Sequence, residues 1–186
     1  MRKIVFILLT FAFALMIMNG CVAVRKYELK DGYELLNSGE MDSARQVFEN
    51  ILSSSEDPRI LSQAYEGLGW VEVVSGEYQT AILKFNQALD LDPNMEDAIY
   101  GLIICEWSLK NWNDLAKQGE AFSKKTSKSY TFTKLQKYRS DWNEIMELLL
   151  ASYVILGEDQ KSKELMDELP STQFTESIRR AMNCEF

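Results

Sequence analysis

Residues 68–85 read LGWVEVVSGEYQTAILKF. Gly76 stands between two apolar-rich runs and is the residue type that takes the left-handed conformation at a helix end. Gly69 before it and Ala81 after it are small, so two antiparallel helices joined at Gly76 approach closely. Tyr65, Leu68 and Phe85 fill the seam, and Tyr78 follows on the packing face of the second helix. Asp92-Pro93 stops that helix, because the residue before proline avoids the helical region and proline lacks a backbone donor. The stretch therefore encodes a helical hairpin. It leaves Trp70, one residue beyond the small residue of the crossing, without a packing role inside the pair.

The pattern recurs. Gly39, Gly76, Lys110 and Gly157 each end the first helix of a unit, at steps of 37, 34 and 47 residues. The second unit, 62–93, is the clearest. Its Tyr65, Leu68, Gly69, Ala81, Phe85, Ala88 and Pro93 fall at the spacing of a tetratricopeptide repeat, and the chain resembles that family. Glu72 departs from the signature, where tyrosine is usual. The first unit, 26–53, keeps Gly32, Gly39, Ala44 and Phe48, with Met41 in place of the aromatic after the turn. The third, 95–123, keeps Ile99, Leu102 and Trp112 but has Ile103 for glycine, Leu115 for alanine and Gly119 for phenylalanine. A glycine inside a helix costs about 1 kcal/mol relative to alanine, so a loosely packed helix is expected there. The fourth, 142–169, keeps Met146, Leu149, Tyr153 and Gly157, with Ser162 and Met166 in the alanine and phenylalanine places. Pro170-Ser171-Thr172 then offers a stop and a fresh helix cap. A terminal helix over 173–183, with Phe174, Ile178 and Met182 on one face, would cover the last apolar face of the stack.

The resemblance implies an all-α fold: a right-handed superhelical stack of antiparallel helix pairs, with three to four repeats and a C-terminal capping helix. It also implies a concave surface lined by the first helix of each pair. Carried residue by residue, that surface takes Tyr33, Leu36 and Asn37 from the first unit and Gln63, Glu66, Trp70, Val73 and Val74 from the second. The third supplies Asp97, Tyr100, Ile104, Trp107 and Ser108, and the fourth Glu147, Val154 and Ile155. Tyr33, Asn37, Glu66, Trp70, Val73, Val74, Tyr100, Ile104 and Trp107 are the candidates for contact with a partner. Aromatic side chains dominate binding hot spots, so rings on this face suit a docked peptide or helix. The alternative is that a short stack curls and the rings pack on the next repeat or on the terminal helix. Some family members grip a chaperone's C-terminal carboxylate with Lys and Asn here. This chain has Glu66 and Trp70 at those places, which argues against such a clamp.

Residues 124–139 break the period. Lys124, Lys125, Lys128, Lys134, Lys137 and Arg139 occur with no acid among them, and Tyr130, Phe132 and Tyr138 interleave. The run reads either as a patch for anionic headgroups or an acidic partner, or as an insertion loop that lengthens the next helix. Six charges over sixteen residues are dilute for a polybasic anchor, which favours the loop.

The N-terminus has the layout of a secretory signal over 1–20: Arg2 and Lys3, then fifteen residues, Ile4–Met18, with Thr10 polar. Met18-Asn19-Gly20-Cys21 resembles a bacterial lipobox, which implies cleavage before Cys21 and lipid on its thiol. Residues 21–25 then form a tether reaching at most ~17 Å, and the helical domain 26–186 rides close to a membrane. Val22 after the cysteine favours the outer membrane, periplasmic or surface face. The alternative is an uncleaved N-terminal helix, since 4–24 is long enough to span an inner membrane.

Loss of the leader takes two of the 20 basic residues and none of the 28 acidic ones, moving the net charge from −8 to −10. A phosphate-backbone binder needs clustered Lys and Arg, so nucleic acid is a poor partner. The chain has no histidine, no metal-like cysteine spacing and no phosphate-binding loop. No metal, cofactor or catalytic site is expected. Cys105 and Cys184 sit in positions that a nearest-neighbour stack keeps apart, so no disulfide between them is expected either. The function these features imply is a membrane-anchored protein–protein interaction scaffold of the bacterial cell envelope. The alternative is an accessory lipoprotein, transporter-associated or binding a small hydrophobic ligand.

Overall fold

The computed structural model describes residues 28–183. The signal segment, Cys21, the tether and Cys184 lie outside the described residues. The helices are α1 (Leu29–Ser38), α2 (Met41–Ser54), α3 (Pro58–Ser75), α4 (Tyr78–Leu91), α5 (Glu96–Leu109), α6 (Trp112–Lys125), α7 (Trp142–Leu156), α8 (Asp159–Glu168) and α9 (Gln173–Asn183). Each packs on the next as far as α8, and the first helices of successive pairs, α1, α3, α5 and α7, stand side by side. The architecture is an all-α helical repeat solenoid with a closing helix.

One turn geometry makes all four pairs. Gly39, Gly76 and Gly157 end α1, α3 and α7 at φ 85°, 81° and 71°, and Lys110 ends α5 at φ 59°. The next amide donates to the carbonyl five residues back at 2.9 Å in every case: Glu40 to Leu35, Glu77 to Glu72, Asn111 to Glu106 and Glu158 to Tyr153. This closes the last helical turn and satisfies carbonyls that would otherwise lack partners. The second helices end differently, in extended backbone at Ser55, Asp92, Thr126 and Leu169. The second pair begins a turn earlier than its repeat signature. Asp57 accepts the Arg59 amide at 2.9 Å, and Pro58 occupies the first helical position, where a missing N–H costs nothing.

The seams rest on one ring between two glycines. Phe48 of α2 lies against Gly32 of α1 and Gly67 of α3, and a methyl at either would fall inside the ring's van der Waals envelope. Phe85 of α4 stands in the same way between Gly69 of α3 and Gly101 of α5. The second helix of a unit thus locks its own first helix to that of the next unit. The third unit inverts the scheme. Gly119 of α6 admits Leu149 of α7, whose Cδ1 would be 2.9 Å from an added Cβ. Gly119 is buried, and α6 is not loosely packed there. The missing ring is replaced by a side chain entering from the next unit.

Glu72, the departure from the repeat signature, is buried and accepts both Arg45 guanidinium nitrogens from α2, one at 3.1 Å. A fork-to-fork ion pair between units stands where a ring is usual. At the far end Thr172 and Thr175 cap α9 reciprocally, each amide donating to the other's hydroxyl, at 2.8 and 3.1 Å. Ile178 and Met182 pack on the core, whereas Phe174 keeps 36% of its surface exposed.

Residues 127–141 do not lengthen α7. They form a two-stranded ribbon, β1 (Thr131–Phe132) antiparallel to β2 (Ser140–Asp141), with a 3₁₀ turn over Gln136–Tyr138 between them. Asp141 caps α7, accepting the Glu144 amide at 3.0 Å, and so fixes the helix start at Trp142.

Candidate functional site

The ribbon lies on the face built by α1, α3 and α5. Its centre is Glu66, on α3, with no exposed surface. Three donors converge on its carboxylate. The Tyr33 hydroxyl comes from α1, the Trp70 indole N–H from the next turn of α3 at 2.6 Å, and the Lys134 ammonium from the ribbon at 2.8 Å. Lys134 also contacts Asp97 of α5 at 2.7 Å, and Asp97 accepts the Tyr130 hydroxyl at 2.7 Å. A cation is thereby clamped between two carboxylates from successive units. Its ammonium also sits 5.1 Å above the Tyr33 ring.

Burial pushes the Glu66 carboxyl above the usual glutamate range, and the Lys134 charge opposes that rise. Burial works to lower the Lys134 ammonium, but Glu66 and Asp97 together hold it above the ordinary lysine value. Burial, followed by the Glu66 charge, raises the Tyr33 phenol. Tyr130 is raised by burial and then by Asp97. Three donors on one carboxylate suit its ionised form, which only accepts.

Beside the charges is a ring cluster. Phe132 stacks on Trp70 with centroids 4.6 Å apart and planes 27° apart, and Tyr100 meets Phe132 at 5.2 Å. Tyr138 meets Trp70 at 5.6 Å, and the Tyr100 hydroxyl donates to the Tyr138 carbonyl at 3.0 Å. Asn37 grips the ribbon's main chain. Its amide donates to the Lys134 carbonyl at 2.9 Å and its oxygen accepts the Gln136 N–H at 3.0 Å.

Of the residues that the sequence places on the concave face, the structure gathers Tyr33, Asn37, Glu66, Trp70, Asp97 and Tyr100 around this ribbon. Val73 is buried in the core, and Val74 and Ile104 are half-buried against it. Trp107 meets Trp112 of α6 edge-on at 5.5 Å rather than any ring of the ribbon. The chain's own insertion covers the face, and the rings of the face also meet across repeats, Trp70 lying 5.7 Å from Tyr100 of the next unit. Sequence reasoning missed Phe132 and Lys134 as site residues. The available signal was the interleaving of rings and lysines, with Phe132 and Lys134 two residues apart.

No family model matches the chain. It is 31% identical over 75 residues to the photosystem I assembly protein Ycf3 of Synechococcus elongatus, and equally so to that of a second Synechococcus strain. The match covers 40% of this chain and 43% of each relative, so the chain spans less than half the length of the curated relatives it matches. Among solved structures, Pseudomonas aeruginosa PilF superposes with a TM-score of 0.65 at 12% identity, over 86% of this chain and 69% of that one. The Hsp90 co-chaperone Cns1 of Saccharomyces cerevisiae superposes with a TM-score of 0.54 at 16% identity, over 84% of this chain and 43% of that one. Repeated turns, ring-between-glycine seams and these superpositions agree that the chain has a tetratricopeptide-repeat-like fold.

Proposed function

We propose that the chain is a protein–protein interaction scaffold of the bacterial cell envelope, held at a membrane by lipid on Cys21, with the face of α1, α3 and α5 as its docking surface. The observation that carries the reading is the grip of Asn37 on the main chain of the ribbon where it bends into the 3₁₀ turn. A side-chain amide bonded to a carbonyl and an N–H two residues on recognises polypeptide as such, whatever its sequence. The names of the similar proteins, an assembly protein and a co-chaperone, fit a role in assembly. Glu66 and Asp97 make the face anionic, which suits a cationic segment and not a terminal carboxylate. The ring cluster around Trp70 is filled by protein side chains, which favours a polypeptide ligand over a small hydrophobic one.

The anchor part of the proposal rests on the lipobox-like residues before Cys21. The first described helix begins at Leu29, so the chain from Cys21 reaches at most ~27 Å, and the partner would be membrane-proximal. Val22 favours the outer membrane.

Two measurements test this. Cys21→Ser is expected to move the protein from the membrane to the soluble fraction; retention in the membrane would remove the lipid anchor. A photoreactive residue at exposed Gln63, one turn before Glu66 on α3, is expected to capture a specific envelope protein. The same residue at exposed Gln87 on α4 is expected to capture none. Equal adducts at both positions, or none at Gln63, would remove the docking face.

A further inference from the structure

We propose that the α1, α3 and α5 face selects a polypeptide segment with an aromatic residue two positions before a lysine, and that residues 127–141 are an intrachain occupant which such a segment displaces. The inference rests on the scaffold reading and names the chemistry of its partner.

The face offers two slots at a fixed spacing. One is aromatic, between Trp70 and Tyr100, and holds Phe132. The other is anionic, between Glu66 and Asp97, and holds Lys134. Phe132 ends β1 and Lys134 stands in the bend that follows, so a Phe-x-Lys segment that repeats this strand-to-bend course fills both slots at once. Asn37 holds the backbone just beyond the lysine without reading side chains. All groups that form the slots belong to the first three repeats. The occupant arrives from the connection between the third and fourth, outside the repeat framework.

The anionic slot explains why the occupant is exchanged and not simply released. An emptied face would leave the neighbouring Glu66 and Asp97 carboxylates without the cation that stands between them, which is unfavourable. Whatever replaces the ribbon must bring its own cation. The ribbon holds the advantage of being tethered, with an effective concentration in the millimolar range for a short connection. A free segment of the same chemistry therefore competes poorly with the intact chain and well once the ribbon's two anchors are gone.

The test uses a labelled synthetic peptide of residues 127–139, SKSYTFTKLQKYR, titrated into the purified chain and into its Phe132→Ala/Lys134→Ala variant. Binding to the variant is expected to be at least about tenfold tighter than to the unaltered chain. Peptides carrying Phe132→Ala or Lys134→Glu are expected to lose at least about tenfold against the variant. In the unaltered chain, hydrogen exchange at the Gln136 amide is expected to outpace that of amides in α3, reporting opening of the ribbon without global unfolding.

A folded variant that binds none of the peptides, or all of them equally, would overturn the proposal. So would a variant that fails to fold, or a Gln136 amide that exchanges only with α3, since either shows the ribbon to be inseparable core. A variant that pairs with the unaltered chain in preference to the peptide, seen as a heterodimer by light scattering, assigns the face to a second copy and also overturns it. Failure of peptide binding with the Gln63 adduct intact would remove the partner chemistry and leave the scaffold reading standing. Loss of both would remove both.

Discussion

The Lys134 ammonium stands 2.8 Å from the Glu66 carboxylate, 68 residues away in sequence, and that carboxylate has no exposed surface. Removing one partner of a buried pair leaves the other uncompensated, at a cost of about 3–5 kcal/mol. A third of the Lys134 side chain is exposed, and Tyr33 and Trp70 still donate to Glu66, so Lys134→Ala is expected to destabilise by about 2–3 kcal/mol. Glu66→Gln/Lys134→Met is expected to cost less than the sum of its single variants. Urea unfolding of all three against the unaltered chain measures both statements, and a near-zero coupling energy would show the pair to be incidental.

Phe48 touches Gly32 and Gly67 at once, and this reverses the usual sign of a glycine-to-alanine change. On an exposed helix such a change stabilises by about 1 kcal/mol. At Gly67 the new methyl would overlap the Phe48 ring, so Gly67→Ala is expected to destabilise by about 1–3 kcal/mol. Phe48→Leu is expected to cost stability alone, yet to recover part of the loss when added to Gly67→Ala. Thermal melts of the three variants decide it, and a stabilised Gly67→Ala would show the seam to be slack.

What was legible in the sequence is what local rules govern. Gly39, Gly76 and Gly157 were readable as helix ends because the left-handed turn demands glycine within a few residues of known context. The solenoid follows from their period. Three readings failed or stayed open because the deciding partner is distant in sequence. Gly119 looks like a lost ring until Leu149 of α7 is seen to enter it. Glu72 looks like a lost tyrosine until Arg45 is seen to clasp it. Residues 124–139 look like an insertion loop that lengthens the next helix because nothing local ties Phe132 to Trp70 or Lys134 to Glu66. Trp70, read from the sequence as facing a groove, packs edge-on against Phe85 of its own hairpin at 5.4 Å and stacks on Phe132 of the insertion.

Lys110 occupies the position that glycine fills in the other three pairs, at φ 59°. A side chain in the left-handed region costs about 1–2 kcal/mol, while glycine gives back part of that gain through its more flexible unfolded chain. Lys110→Gly is therefore expected to stabilise by about 0.5–1 kcal/mol, seen as a higher urea midpoint at unchanged slope. No gain would mean that the turn after α5 carries no strain.

The occupied face also predicts how stability responds to alkali. Lys134, Tyr33 and Tyr130 are held above their ordinary values in the folded chain, and Tyr100 is pushed up to about 12. Between each ordinary value and the raised one, the folded chain binds more protons than the unfolded chain, so stability falls as pH rises. The contribution of these groups is complete below about pH 10 and is lost above it. The urea midpoint is expected to start falling gently near pH 9, where the buried Cys105 thiol, pushed up to about 12, begins to count, and to drop steeply above about pH 10, with buried tyrosines ionising only as the helices melt. Parallel titrations of phenolate absorbance and helical circular dichroism check this. Lys134→Ala should remove the share of the slope that belongs to the lysine. Phenolate formation at all eight tyrosines before any loss of helix would show that Tyr33, Tyr100 and Tyr130 are open to solvent and that the ribbon does not seal the face.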